Sequence, residues 1–184
     1  MKGQKKQDWL GLVGSEEMDS ASAYQTISIA HHYITSLIEP SSVLCVGCSD
    51  GTELELWGNA QGIDLNDKSL EKCRSKGFLV HKMDMHDMSF DDNKFELVFA
   101  RDVFEHSISH IKAIEEYARV SSKYVAIVLP DESWQWSEWH FIIPNTIQMI
   151  SLGEKVGLKL RAMRQYNVNM GSMNVQQTLY LFEK

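Results

Sequence analysis

From Val43 to Leu129, short apolar runs alternate with stretches whose apolar residues recur at helical spacing, and few folds accept that order. The runs at 43–46, 61–65, 78–81, 95–100 and 124–129 read as five strands. Between them the spacing predicts a short helix over 53–57 and a second helix capped by Asp67. The second carries Leu70 and Cys73 and is closed by Gly77. A third helix is marked by Ile108, Ile111, Ile114 and Ala118. Apolar strands separated by helices imply right-handed crossovers and a parallel sheet covered on both faces. Before this unit, Ile27, Ala30, His31, Ile34, Leu37 and Ile38 predict a helix over 24–38, which Pro40 stops. After it come a predicted helix over 145–156 and two strand-like segments, 158–166 and 175–182. The segment NVNMGSM between them suits an antiparallel pair at the sheet edge. Residues 1–20 lack periodicity and are expected to form a loose arm; residues 21–184 are expected to form one domain.

The chain's 184 residues suit a single core. No apolar run reaches the ~18 residues of a membrane span, and the early lysines precede no apolar stretch. A cytoplasmic protein without a membrane partner is therefore expected. The net charge of -7 argues against bulk nucleic acid, whose phosphates want a basic face. Cys45 and Cys48 form a lone C-x-x-C with no second pair to complete a zinc site. Cys45 lies inside a strand run, where a thiol serves as a small core hydrophobe.

In parallel sheets, ligands bind beyond the carboxyl ends of the strands. Those positions hold Gly47-Cys48-Ser49-Asp50-Gly51, then Asp64, Asp84 with Met85, the run RDVFEH, and PDESW. A dinucleotide fingerprint wants G-x-G-x-x-G. Here Ser49 replaces the middle glycine, the third is missing, and Asp50 would face the phosphates. Two unit charges ~5 Å apart repel by roughly 3 kcal/mol at an effective dielectric of ~20. An NAD-dependent enzyme is thus disfavoured, and a phosphate-free nucleotide fits better. Asp64 can accept ribose hydroxyls and Asp84 the adenine amino group. S-adenosylmethionine has that profile: an adenosine, a cationic sulfonium and no phosphate.

VLCVGCSDG, GIDLND and MDMHDMSFDDNKFELVFARDVFEH together resemble the class I S-adenosylmethionine-dependent methyltransferases, in particular the type 11 methyltransferase domain. The resemblance covers 42–129, with a weaker echo in HFIIPNTIQMISLGEKVGLKL. It implies a three-layer αβα sandwich, Rossmann-like, with a mostly parallel seven-stranded sheet of order 3-2-1-4-5-7-6 and an antiparallel last strand. It implies that Gly47, Cys48 and Gly51 make backbone contacts to the cofactor and that Asp64 binds ribose. Leu65, Asp84 and Met85 would border adenine, and Arg101 would lie against the methionine portion. The activity implied is methyl transfer by in-line displacement to an O, N or C nucleophile of a small molecule. The chain departs from the family at Cys45, where many members have an acid. It departs again at Ser49 and in a short first helix. Those departures leave an alternative class, a non-catalytic module that binds S-adenosylmethionine or S-adenosylhomocysteine.

The insertion DESWQWSEWHF places Trp134, Trp136 and Trp139 within six residues, a set suited to a pocket mouth because tryptophan faces attract cations. With His106 they are the expected substrate contacts, covered by the N-terminal helix. His140, beside this insertion, is the candidate general base. Asp102-x-x-Glu105-His106, with His110 and His140, resembles the ligand cluster of some metal-dependent methyltransferases. Glu-His is nevertheless commonplace after strand four in the wider family, so no metal is expected.

Overall fold

The computed structural model describes residues 20–131, 140–170 and 173–184. Among them, helix α1 (Ser20–Thr35) leads into strand β1 (Val43–Val46), α2 (Thr52–Trp57), β2 (Ala60–Asp64), α3 (Asp67–Ser75), β3 (Val80–Lys82) and β4 (Phe95–Arg101). A 3-10 turn (Phe104–His106), α4 (His110–Val120), β5 (Ser121–Pro130), α5 (Thr146–Lys155), β6 (Lys159–Met170) and β7 (Met173–Glu183) complete the order. One seven-stranded sheet runs β3-β2-β1-β4-β5-β7-β6. The first five strands are parallel, and β7 enters antiparallel between β5 and β6. This is the αβα sandwich and the order that the resemblance implied.

The strands point alternate residues to opposite faces, and both faces are covered. Leu44, Val46, Val98, Ala100, Val125 and Ile127 join Ile114 and Tyr117 of α4 and Met149 of α5 in one core. Val43, Cys45, Leu97, Phe99, Ala126 and Val128 join α1, α2 and α3 in the other. Cys45 is fully buried there, the core hydrophobe that its place in the strand indicated. All three cysteines are free. No helix among the described residues is long and apolar enough to cross a membrane.

Several boundaries differ from the sequence reading for local reasons. Helix α1 begins earlier, because Ser20, Ala21, Ser22 and Ala23 are small residues that extend a helix without contributing periodicity. It stops at Thr35, whose Oγ1 takes the His31 carbonyl (2.9 Å) while Ser36 takes that of Tyr33 (2.6 Å). Asn66, not Asp67, caps α3: its Oδ1 accepts from Lys68 and Ser69, and Asp67 turns outward to Lys82 (2.6 Å). Ile108 precedes α4 and is exposed. The expected arm, apart from Ser20, and the three tryptophans lie outside the described residues.

Candidate active site

The loop leaving β1 is shaped by the fold before any ligand arrives. Gly47 has φ +69°, and a Cβ there would sit 2.6 Å from Val103 Cγ2; Gly51 has φ +90° and would meet the Phe78 ring at 2.9 Å. Neither position has room or conformational freedom for a side chain. Ser49, where a glycine is frequent, also takes a left-handed φ of 45°. The amides of Gly47 and Cys48 both donate to the Ile63 carbonyl, and Gly51 donates to Cys48. The loop can therefore approach a ligand closely, but those three N–H groups are already committed. Cys48 is buried and hydrogen-bonded with Cys73, and Cys73 Sγ lies 3.2 Å from the Ser49 carbonyl, to which it donates.

Asp64, at the end of β2, locks this loop in place. Its Oδ2 accepts from Ser49 N and its Oδ1 from Asn66 N, both at 2.9 Å. A carboxylate has about four lone-pair sites, so two acceptor positions remain for hydroxyl donors. Asp50 instead turns toward the start of α2, with its Oδ1 accepting from Thr52 Oγ1 (2.8 Å) and N (3.2 Å). Partial burial pushes its carboxyl up, but the Thr52 bonds and the charges of Lys76 and Lys72 outweigh this and hold it below the ordinary value. Leu65 is half-buried beside Asp64. Beyond β3, Asp84 Oδ1 accepts from His86 N (3.0 Å) and meets His86 Nδ1 at 2.5 Å. His86 Nε2 reaches Ser107 Oγ at 2.7 Å, tying the two loops together. Ser107 is buried and accepts from Ser109 N, so this Ser-His-Asp chain serves as a brace. Met85 is buried, with its sulfur accepting from Tyr117 Oη (3.3 Å).

Arg101 ends β4 within a buried ion network. Its Nε donates to Glu53 Oε1 (2.9 Å), and its Nη1 pairs with Asp102, which has φ +48°. Gln177 Nε2, from β7, donates to both oxygens of Asp102 at 2.8 and 2.9 Å. Glu53 Oε2 is buried with no hydrogen-bond partner. Burial pushes the Glu53 carboxyl up to about 7, against the pull of Arg101. Glu53 also lies close enough to Cys45 to raise its thiol further, beyond the effect of burial. A carboxylate therefore stands near Cys45, where the resemblance finds no acid in the strand. Neither Glu53 nor Gln177 figured in the sequence reading. Glu53 left one signal, an acid on the inward side of a helix turn.

In the 3-10 turn, Glu105 is 1% exposed and its Oε2 has no hydrogen-bond partner. Burial, then the charge of Asp102, pushes this carboxyl well up. Donor atoms of Glu105, His106 and His140 lie within 4.8 Å of one another, and the two imidazole rings are 5.0 Å apart. Phe141 N donates to Glu105 O (3.0 Å), which fixes the segment bearing His140. His110 stands apart, stacked on Phe104. A surface depression lined by Glu115, Arg119, Lys155, Val156 and Lys184 lies toward the sheet's opposite end, away from this chemistry.

The sheet order, the glycine loop and an acid closing β2 define one class of nucleotide-binding α/β protein. The sheet order is that of the Rossmann-like methyltransferase fold, and residues 44–128 match the type 11 family model, described as a methyltransferase domain. No curated protein matches the sequence. Among solved structures, it resembles an S-adenosylmethionine-dependent methyltransferase from Archaeoglobus fulgidus at 16% identity. That match covers 87% of this chain and 93% of that one, with a TM-score of 0.71. A methyltransferase from Methanosarcina mazei is similar at 14% identity over 83% and 96% of the two chains, with a TM-score of 0.70. Magnesium protoporphyrin IX methyltransferase from Synechocystis PCC 6803, solved with bound S-adenosylmethionine, is similar at 11% identity. The shares covered are 100% and 91%, and the TM-score is 0.69.

Proposed function

We propose that the protein binds S-adenosylmethionine at the carboxyl ends of β1 to β4 and transfers its methyl group to a small-molecule acceptor. The observation that carries this reading is Asp64, whose two oxygens are oriented by backbone N–H groups of the glycine loop and of Asn66. It would accept the ribose hydroxyls through its remaining lone pairs. Asp84, braced by His86, and Met85 would border adenine, with Leu65 as a wall. Glu53, buried next to Arg101, would take the ammonium of the methionine portion, supplying the acid that Cys45 does not. Bound there, the cofactor supplies an already activated methyl group, so the protein's share of catalysis is positioning. His106 would face the acceptor, along with Trp134, Trp136 and Trp139. Three free cysteines suit the reducing cytoplasm expected of this chain.

The test is calorimetry with S-adenosylhomocysteine on the full chain and on Asp64→Ala. Wild type should bind, and the variant should bind at least about tenfold more weakly, since one charge-assisted hydrogen bond contributes ~1.5–3 kcal/mol. Equal affinity in the two proteins would remove Asp64 from the site, and absence of binding by the folded wild type would overturn the reading.

A further inference from the structure

Glu105, His106 and His140 form a cluster that the reading above does not fully use. Glu105 is held in the turn that ends β4, and its Oε2 is sealed from water without a donor. Burying a carboxyl oxygen without a donor is expensive, and a positive partner is one way to complete it. Arg101 does not fill that role, since its guanidinium is engaged by Glu53 and Asp102. Asp102 does not extend the cluster, since both its oxygens accept from Gln177. What remains is one carboxylate and two half-buried imidazoles, with donors within 4.8 Å of one another. Their backbone is fixed by the Phe141 to Glu105 hydrogen bond.

We infer that Glu105, His106 and His140 hold a divalent first-row transition ion with at least one coordination position open to an oxygen ligand. Two imidazoles with a carboxylate suit zinc, manganese or cobalt, whereas magnesium and calcium prefer oxygen throughout. Donors ~2.1 Å from a tetrahedral ion lie ~3.4 Å apart, so modest ring rotations close the set. The site begins two residues after Val103, the side chain packed against Gly47, which puts the ion beside the cofactor loop. A divalent ion makes a bound hydroxyl far more acidic, so the ligand class it would take is a hydroxyl-bearing acceptor. That last assignment rests on the methyltransferase reading; the metal site does not. It makes His140 a ligand rather than a general base, and it takes the place of the expectation of no metal.

The experiment titrates the chelator-stripped full chain with cobalt(II) chloride and measures S-adenosylhomocysteine binding on the same samples. One equivalent of cobalt should bind and give the visible bands of a low-symmetry site. His140→Ala and Glu105→Gln should each weaken it at least about tenfold. Urea midpoints show which variants remain folded, and His140, half-buried in a loop, is the variant least exposed to misfolding. Absence of cobalt binding by a wild type that binds S-adenosylhomocysteine would overturn the metal site, as would unchanged cobalt affinity in folded His140→Ala. Cobalt binding without S-adenosylhomocysteine binding would keep the metal site and defeat the proposed function.

Discussion

Gly47→Ala tests whether the glycine loop is dictated by the protein's own packing rather than by its ligand. The new methyl group would meet two separate obstacles. A left-handed backbone costs an L-residue ~1–2 kcal/mol. Placing a carbon 2.6 Å from Val103 Cγ2 and 3.0 Å from Val103 Cβ overpacks a buried contact, which adds ~1–3 kcal/mol. The sum is a loss of about 2–5 kcal/mol in urea denaturation without cofactor. Val103→Ala alone should cost about 1.5–2.5 kcal/mol, for two methyl groups and a small cavity. In the double variant the Cγ2 obstacle is gone while the backbone cost remains. Its loss should therefore fall short of the summed single losses by ~1–2 kcal/mol, the Cγ2 part of the overpacking cost, since alanine keeps the Cβ. Additivity within ~0.5 kcal/mol would refute the argument that Val103 defines this position.

Three further outcomes follow from the same region. Ser49→Gly should raise stability by ~0.5–1 kcal/mol in the same assay, because it relieves the left-handed φ at the loop's centre; a loss would show that the Ser49 side chain matters more than its backbone. Glu53 keeps its proton in the folded chain to about pH 7, while unfolded it releases it near 4.5. Its contribution is therefore full below 4.5 and is lost as pH rises to about 7, a fall of about 3 kcal/mol. Glu53→Gln should flatten that slope, and parallel curves for the two proteins would contradict the assignment. If Glu53 receives an ammonium, S-adenosylhomocysteine binding near pH 6 should release a proton in wild type and none in Glu53→Gln, measured by calorimetry in buffers of different ionisation enthalpy.

Much of this architecture was legible because it is written in local order. The run VLCV has no polar residue and is followed within a few residues by glycines, so it reads as a short strand covered on both sides. Asp64 could be placed because strand ends at a parallel sheet converge, and the structure joins it to Ser49, fifteen residues away. The cap of α3 was misassigned by one position, since Asn66 and Asp67 are both good caps and only the outward pull of Lys82 distinguishes them. Gln177 was invisible for a different reason. Its partner Asp102 lies 75 residues earlier, just past the end of β4, which β7 nears only after pairing antiparallel with β5. The His86–Ser107 brace, spanning two loops, was hidden in the same way. Glu105 was visible as a motif, but the burial of its Oε2 without a donor is a tertiary fact.

The place of β7 has a consequence for the chain as it is made. Residues 173–183 leave the ribosome after every other strand, yet they lie between β5 and β6. Until they arrive, β5 presents an open edge from Tyr124 to Pro130, an apolar template on which another nascent chain can add a strand. During that interval Asp102 lacks Gln177. The end of the sheet that carries Asp102 is therefore completed last, and translation speed over the roughly fifty codons between β5 and the end of β7 sets how long a growing chain must be shielded from its neighbours.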